Sequence, residues 1–433
     1  MHHLKSILIV GGGFVGVTLA AKLTKSPYHI IDILETNTER VLNLLNGETH
    51  IFEPNLDQEI QKALSAGTMN ISDALSKTIY ESVFVCIGTR QLSKDPKSMS
   101  ELIKTCLSVS KNIAPNGALF IRSTVKVGTS CIVSAALKEI QRPDIKVYYA
   151  PERTAEGVAL LELDELPQIL AAESTESLRR GEEILKDLGF TVVKASKLEV
   201  AEFSKLVTNA WRDSIFGISN EIAMAAESLN LSISETLHLI NFNYPRAKIP
   251  NPGPVGGPCL SKDTHILIDS LPEAFKTSSV LLKSRLLNEN LDKEASKIIL
   301  NYSNNLNKAT EILIAGLAFK GAPRTNDIRN SFAVNILNEI LAVNPTLKVR
   351  IWDPTLTDRD LGKLKKFRVA NIDNYSPDII LIGNNGSAIC SGEFSNFLSR
   401  NIHSSFVVDY WGVCIDLNLP LVNGYFFGEK LND

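Results

Sequence analysis

The sequence predicts an α/β protein with two doubly wound sheets joined by a central helical segment. An apolar run at residues 7–10 leads into a glycine-rich turn and then into helical periodicity. Helical periodicity also runs from about 198 to 229, with no Gly or Pro before Gly217, and a further helix is expected near 277–300. A second series of short apolar runs starts at 311. Strands that alternate with helices indicate parallel sheets covered on both faces.

Composition narrows the class of protein. The 433 residues are enough for two or three domains, and we expect domains at 1–197, 198–303 and 304–433. Charged residues make up 21%, and the net charge of -3 leaves no basic surface for nucleic acid. The six cysteines lack the short spacings of zinc sites, so no metal is expected. Because neither a signal-peptide layout nor an apolar run of roughly 18–20 residues is present, we expect a cytoplasmic enzyme without a membrane partner.

The glycine-rich turn predicts a dinucleotide site. Gly11, Gly13 and Gly16 fit the pattern G-x-G-x-x-G between a strand and a helix. In this Rossmann-like arrangement, the glycines permit a tight turn and a close backbone approach to a diphosphate that lies on the helix N-terminus. The residues between the last two glycines, Phe14 and Val15, belong to the same predicted contact.

An acid after the second apolar run predicts which dinucleotide binds. Glu35 lies nineteen residues after Gly16, at the distance where an acid binds the adenosine ribose. No arginine follows it immediately, so NAD is favoured over NADP. Asp32, inside the same run, is the competing candidate.

Further strands are expected at 83–89, 118–125 and 147–151. The carboxyl ends of strands in a doubly wound sheet face the ligand crevice. We therefore expect the nicotinamide half of the cofactor to meet residues at these ends, and the alternative is that they are ordinary turn residues. They are Gly88, Thr89, Ser123 and Thr124.

A loop that ends in a cysteine is the strongest catalytic signal. Three prolines and three glycines occupy residues 252–258, which predicts a tight loop and excludes a helix interior. Cys259 follows the loop and precedes a helix-compatible stretch, with Lys262 close by, and both features favour the thiolate. Asp263 would share a helix face with the thiol. The alternative is a buried structural cysteine.

Two weaker patterns add candidates. Lys205 and Asn209 lie four residues apart in the central helical stretch and would share a face, although a solvated lysine is the usual interpretation. In the last third, residues 318–329 carry three basic side chains after a predicted strand. They suggest a phosphate-bearing ligand, and a solvated charged loop is the ordinary alternative.

Together these motifs resemble the UDP-glucose/GDP-mannose dehydrogenase family, in the same order and over essentially the whole chain. Pro-Glu-Arg at 151–153 and Gly-Gly-Pro-Cys at 256–259 look more like the branch acting on UDP-N-acetylhexosamines such as UDP-N-acetylmannosamine. The UDP-glucose branch tends to carry Phe after Pro-Glu. The remaining segments of the match are 11–16, 88–89, 123–129, 154–157, 201–210, 220–221, 252–263, 316–320 and 327–329.

The resemblance implies an enzyme that oxidises the C6 alcohol of a UDP-sugar to a carboxylate with two NAD. Because long helices in the centre of a chain often form a dimer interface, we also expect a homodimer. Cys259 would add to the aldehyde intermediate and carry the later thioester until water hydrolyses it. Lys205, assisted by Asn209, would stabilise the oxyanion. Further catalytic roles are implied for Asp263 and Thr124, which would position the water, and for Glu152, which would be the general base.

The resemblance also implies binding residues. Glu156 would lie near the cofactor and the reacting centre, Lys320 would bind the UDP part, and Arg246 would contact the sugar nucleotide, within its own subunit or across a dimer. The set implied for NAD is Gly11, Gly13, Phe14, Val15, Gly16, Glu35, Gly88, Thr89, Ser123, Thr124, Glu156 and Lys262. The set implied for the UDP-sugar is Glu152, Arg153, Lys205, Asn209, Arg246, Gly256, Gly257, Lys320 and Arg329.

The chain departs from the family pattern without losing a catalytic group. Alternatives that stay open are UDP-glucose or UDP-N-acetylglucosamine as substrate, a two-electron dehydrogenase that would not need Cys259, and a non-catalytic sugar-nucleotide-binding protein. The departures are Arg90, Lys126 and Ser261, where Pro is common, and Tyr410-Trp411, where UDP-glucose members tend to have an Arg.

Overall fold

The computed structural model describes residues 5–26, 29–90, 95–306, 308–390 and 392–430. The chain forms two compact units, one from residues 1–208 and 265–273 and the other from 209–264 and 274–433. The predicted division into three domains stays a prediction.

The described strands, in chain order, are β1 Lys5–Val10, β2 His29–Leu34, β3 Met69–Ser72, β4 Tyr80–Val85, β5 Ile113–Ile121, β6 Lys146–Tyr149, β7 Gln168–Ala172, β8 Val192–Lys194, β9 Glu311–Ala315, β10 Lys348–Trp352, β11 Ile379–Ile382, β12 Phe406–Asp409 and β13 Gly424–Phe426. The described helices are α1 Phe14–Leu23, α2 Thr38–Leu45, α3 Leu56–Ser65, α4 Ser98–Ser110, α5 Thr129–Glu139, α6 Ala159–Glu165, α7 Thr175–Asp187, α8 Leu198–Ser228, α9 Ile233–Asn241, α10 Leu260–Asp269, α11 Glu273–Ser278, α12 Val280–Asn305, α13 Phe332–Val343, α14 Asp358–Leu361, α15 Gly392–Asn401 and α16 Val413–Asp416, with a 3-10 helix at Gly362–Phe367.

The first unit contains a sheet with the strand order β3-β2-β1-β4-β5-β6-β7-β8. Its pairs are parallel except for β6 with β7. Its central strands are apolar runs buried on both faces, the pattern of a parallel sheet covered by helices. The strand order reverses between β1 and β4, so the loops that follow these strands diverge and leave a crevice at their carboxyl ends.

The second unit contains an all-parallel sheet with the order β10-β9-β11-β12-β13. Apolar clusters cover both of its faces, one around Ile314 and Phe332, the other around Trp352 and Phe394. The predicted class of two Rossmann-like sheets with central helices is confirmed, because α8 runs for 31 residues between the two sheets in sequence.

Three predicted strands end earlier than expected. The strands expected at 83–89, 118–125 and 147–151 end at Val85, Ile121 and Tyr149. Beyond the first two, the side-chain hydroxyls of Thr89 and Ser123 bond to carbonyl oxygens of the neighbouring loop. The helix expected at about 277–300 is α12, Val280–Asn305, and a separate short helix, α11, ends at Ser278 just before it. The Ser279 hydroxyl between them accepts the N–H of Leu282 and caps α12, which starts a new helix there.

Among the described residues, no helix combines the length and the apolar character that crossing a membrane requires. Over the same ranges, no group of three or more His, Cys, Asp or Glu side chains is placed to hold a metal ion.

Candidate active site

The turn after β1 has the shape that a dinucleotide phosphate requires. Gly11 has a φ of +105°, and a Cβ there would lie 2.9 Å from a backbone carbonyl oxygen just after β4. A Cβ on Gly16 would lie 1.9 Å from the Gly11 carbonyl oxygen. A Cβ on Gly13 would meet no atom within 4 Å, and no side chain caps the helix that begins at Phe14. The first-turn N–H groups of α1, including that of Val15, therefore lack a side-chain acceptor and suit a diphosphate.

Glu35 is the buried acid beside this turn. Its carboxylate accepts the N–H of Gly12 at 3.0 Å and of Asn37 at 2.8 Å, and it pairs with Arg40 at 2.8 Å. Burial acts to raise the pKa of Glu35, but these donors outweigh it and the pKa is lowered. Asp32 is held instead by side chains of β3 and β4, so Glu35 fits a ribose hydroxyl better.

Hydroxyl groups tie the ends of β4 and β5 together. Thr89 donates to the Thr124 carbonyl oxygen at 2.5 Å, and Ser123 donates to the Ile87 carbonyl oxygen at 2.7 Å. A Cβ on Gly88, the residue before Thr89, would meet no atom within 4 Å. The loops after the two strands thus form one bonded rim at the crevice, and their contact with nicotinamide stays a prediction.

Glu152 forms a buried ion pair in the segment after β6. One carboxylate oxygen accepts the N–H groups of Arg153 at 2.7 Å and Thr154 at 2.9 Å, and the other bonds to the Arg122 guanidinium. Arg122 also donates to Gln168 at 2.6 Å. Burial acts to raise the pKa of Glu152, but the charge of Arg122 and the backbone donors outweigh it and lower that pKa.

A second buried acid shapes the segment that follows. Glu53 accepts the N–H groups of Gly157 at 2.9 Å and Leu160 at 3.1 Å, at the start of α6. Glu156 is buried beside this cap, whereas the Arg153 side chain is exposed and donates to a backbone carbonyl oxygen. Glu53 therefore sets the path of the chain that carries Glu156.

The helix α8 presents Lys205 one turn before Asn209. Lys205 is half-buried, and the described residues of the first unit give it no hydrogen bond or ion pair. One turn earlier, Glu202 is buried and accepts the N–H groups of Gly128 at 2.6 Å and Ser130 at 2.8 Å, which anchors α8 to the start of α5. The ammonium of Lys205 is thus carried on a helix whose position is set by a neighbouring acid.

In the second unit, a network of buried polar side chains anchors the loop before Cys259 by hydrogen bonds. Asn220 accepts the Gly253 N–H at 2.7 Å and donates to the Gly253 carbonyl at 3.0 Å and to Asn288 at 2.8 Å. Asn288 donates to Asp213, which also pairs with Arg285 at 2.9 Å. Because these side chains are buried and bonded to one another and to the loop, they define one conformation of the loop.

Cys259 is exposed, belongs to no disulfide and immediately precedes α10, as predicted. Asp263 is fully buried and accepts the Asn209 amide at 2.6 Å and Lys262 at 2.5 Å. Burial acts to lower the pKa of Lys262, but Asp263 and the Cys259 sulfur outweigh it and raise that pKa. A charged lysine and a helix N-terminus therefore adjoin the thiol, the setting that stabilises a thiolate.

The glycines of the loop pack against the turn after β9. Gly257 has a φ of +86°, and a Cβ there would lie 2.6 Å from the Phe319 ring. A Cβ on Gly256 would lie 2.5 Å from the Asn330 carbonyl oxygen, so both positions require glycine. The next residue after Phe319, Lys320, lies with its ammonium 5.5 Å from that ring. This packing brings the predicted phosphate-binding lysine to the cysteine loop.

Two predicted cations of the second unit are exposed. Arg329 pairs with Asp327, which lies two residues away. Arg246 stacks over Tyr244 with 4.8 Å to the ring centroid and donates to its hydroxyl at 3.1 Å. Their roles toward a sugar nucleotide stay predictions.

Sequence reasoning missed the partners that hold these groups. A signal existed for Arg122, a charged residue directly after an apolar strand. No such signal existed for Asp213, Arg285 and Asn288, because the sequence around each residue is typical of an ordinary polar position in a helix. Glu53 likewise carried no signal, because it lies in a turn more than a hundred residues from the segment that it caps.

The first unit carries a glycine turn and an acid that suit a dinucleotide, and the second carries an exposed thiol beside a charged lysine that suits covalent catalysis. Comparison with known proteins agrees. The profile of the UDP-glucose/GDP-mannose dehydrogenase family, NAD binding domain, matches residues 5–189, and that of the family's central domain matches residues 199–290.

Relatives and solved structures share this architecture. UDP-N-acetyl-D-mannosamine dehydrogenase of Pyrococcus horikoshii is 28% identical over 80% of this chain and 83% of its own. The enzyme of that name from Escherichia coli is 23% identical over 94% and 99%. The structure of the Pyrococcus horikoshii UDP-D-ManNAc dehydrogenase superimposes with a TM-score of 0.80 at 24% identity, covering 94% of this chain and 96% of that one. A UDP-glucose dehydrogenase from Pyrobaculum islandicum gives 0.81 at 19%, with 99% of both chains covered. The chain therefore belongs to the UDP-glucose/GDP-mannose dehydrogenase family and is an NAD-dependent nucleotide-sugar dehydrogenase.

Proposed function

We propose that the protein oxidises the C6 alcohol of a UDP-sugar to the carboxylate in two NAD-dependent steps, with UDP-N-acetylmannosamine as the first-choice substrate. One observation carries the proposal: the exposed thiol of Cys259 stands at the N-terminus of α10, in a loop anchored by buried polar side chains. A loop that served packing alone would bury its cysteine.

NAD supplies the hydride acceptor for both oxidations, and the remaining steps fall to the chain. After the alcohol has become an aldehyde, the Cys259 sulfur forms a bond to the aldehyde carbon and the oxygen takes a proton, which gives a thiohemiacetal. Loss of the second hydride and of that proton leaves a thioester. Water then forms the new C–O bond, the C–S bond breaks, and the thiolate returns.

The residues near Cys259 and Glu152 would act on the oxyanion of the adduct and on the hydrolytic water. The ammonium of Lys205 and the amide of Asn209 would stabilise the oxyanion of the adduct, a contribution of about 3–4 kcal/mol for one well-placed donor. Asp263 holds Asn209 and Lys262, so it would orient that group of donors. Glu152 and Thr124 would bind the hydrolytic water, with Glu152 as its proton acceptor.

The choice of sugar rests on the relatives and on two sequence features. The first relatives act, by name, on UDP-N-acetyl-D-mannosamine. Pro-Glu-Arg at 151–153 with Gly-Gly-Pro-Cys at 256–259 favours an N-acetylhexosamine, and Tyr410-Trp411, where UDP-glucose members tend to have an Arg, weighs against glucose. UDP-N-acetylglucosamine and UDP-glucose are the alternatives that the assay must separate.

We also propose a homodimer formed through α8. Large apolar side chains recur exposed along this helix, and Trp211 is 61% exposed. Such a row on a long helix is typical of a surface covered by a second copy. The exposed residues are Val200, Phe203, Trp211, Ile218 and Met224.

The cytoplasmic location stays a prediction.

The test is an NADH absorbance assay with UDP-N-acetylmannosamine, UDP-N-acetylglucosamine, UDP-glucose and GDP-mannose. We expect two NADH per molecule of the preferred UDP-sugar, and a thioester adduct on Cys259 detectable by mass spectrometry. Cys259→Ser should abolish uronate formation, whereas Cys390→Ser, a partly exposed cysteine of the same unit, should not.

Three outcomes would overturn parts of the proposal. One NADH per turnover would exclude the covalent route. Full uronate production by Cys259→Ser would exclude the thiol. An absence of NADH with every nucleotide sugar, despite measurable binding, would indicate a non-catalytic binding protein.

A further inference from the structure

A charged cluster at the carboxyl end of the first sheet calls for an explanation. Arg122 directly follows β5 and is only 1% exposed, and Gln168 on β7 is fully buried. Each bonds to the other, and Arg122 also bonds to Glu152. Burying an ion pair gains little stability over an apolar replacement, because desolvation offsets the attraction. Stability therefore does not account for this arrangement.

We propose that Arg122 is a positioning residue for Glu152: its guanidinium, itself held by Gln168, fixes the carboxylate as a hydrogen-bond acceptor for the water of the reaction. The inference rests on the proposed function and deepens the role of Glu152 in it.

The hydrogen-bond inventory of the carboxylate supports this role. Two carboxylate oxygens offer about four acceptor positions. The N–H groups of Arg153 and Thr154 occupy two on one oxygen, and Arg122 occupies one on the other. One position is left, on the oxygen that faces Arg122, and it suits a single donor such as a water molecule. Arg122 thereby selects the direction from which that water can approach.

The surroundings make Arg122 decisive for the charge of Glu152. Cys86 interacts electrostatically with both Arg122 and Glu152, but burial raises the pKa of Cys86 to about 12, so that thiol is neutral. Arg122 is the largest of the causes that lower the pKa of Glu152 against its burial. Without that guanidinium, burial would dominate and the carboxyl group would take up a proton nearer neutral pH.

The test compares pH profiles of kcat for the wild-type enzyme, Arg122→Lys and Arg122→Met. We expect the acid limb of Arg122→Met to move to higher pH by about 1–3 units, while KM for NAD stays close to wild type. Arg122→Lys keeps a cation and should shift the limb less. In the infrared spectrum, Arg122→Met should show a protonated carboxyl band near neutral pH that Arg122→Met/Glu152→Gln lacks.

The double variant guards against simple misfolding, because it removes the unpaired acid together with the arginine. Its thermal midpoint should exceed that of Arg122→Met. An unchanged acid limb in Arg122→Met, or no protonated carboxyl band in that variant, would overturn the proposal. If the wild-type enzyme oxidises no UDP-sugar, the proposed function fails, and the infrared band and midpoints still decide whether Arg122 controls Glu152.

Discussion

Replacing Arg285 with methionine should disrupt the network that anchors the cysteine loop. Arg285 pairs with Asp213 at 2.9 Å and donates to the Leu260 carbonyl oxygen at 3.2 Å. It also donates to the Val255 carbonyl oxygen at 3.3 Å, inside the loop. Methionine retains an unbranched apolar stem, so the change mainly removes the charge and its hydrogen bonds and leaves the buried Asp213 without a counter-charge.

The expected loss is large and depends on pH. Removing one partner of a buried ion pair costs about 3–5 kcal/mol, which corresponds to a fall in Tm of roughly 6–20 °C for a unit of this size. Burial already raises the pKa of Asp213 against the opposing effect of Arg285, so the variant should raise it further. Because protonated Asp213 carries no charge, the deficit should be greatest at neutral pH and shrink as the pH falls through that raised pKa.

Thermal denaturation at neutral and mildly acidic pH measures both effects. Arg350→Met is the matched control, since Arg350 is exposed on β10 of the same unit, and it should change stability by about 0.5 kcal/mol or less. If Arg285→Met equals this control at neutral pH, or if its deficit grows on acidification, the buried pair does not hold the loop as argued.

Three further experiments, two of which compare a pair of substitutions, separate fold from binding. Gly16→Ala should prevent the first unit from folding, as seen by circular dichroism, because the added Cβ would lie 1.9 Å from a backbone oxygen. Gly13→Ala should fold, because its Cβ would meet no atom within 4 Å, but it should lose NAD affinity in a calorimetric titration. Equal stability of the two would contradict the geometry. Gly257→Ala should slow alkylation or turnover at Cys259. It should also cost more stability than Gly67→Ala, because Gly67 has a similar φ of +68° but a Cβ there would meet no atom within 4 Å. Equal losses of stability in denaturant melts would argue against the packing of Gly257 on the Phe319 ring. Glu35→Ala should raise the Kd for NAD about 10- to 100-fold and leave UDP-sugar affinity unchanged, and an unaltered NAD Kd would exclude Glu35 as the ribose acid.

Features that depend on neighbouring residues were predictable. The strand, glycine turn and helix at 7–23 follow from local apolar periodicity and from backbone angles that only glycine adopts easily. The loop before Cys259 and the helix after it were predictable for the same reason. The residues at which the strands end were not predictable, because the hydroxyls of Thr89 and Ser123 beyond these ends find their acceptors about 35 residues away in the chain.

By itself, the sequence determined the class of fold, the glycine turn before α1 and the loop that ends in Cys259 before α10, since each rests on residue types a few positions apart. Tertiary structure alone decided what surrounds them: Arg122 against Glu152, and Asp213 with Arg285 and Asn288 beneath the loop. Such pairs join residues 30 to 75 positions apart, and only the folded chain removes the water that would otherwise screen their charges.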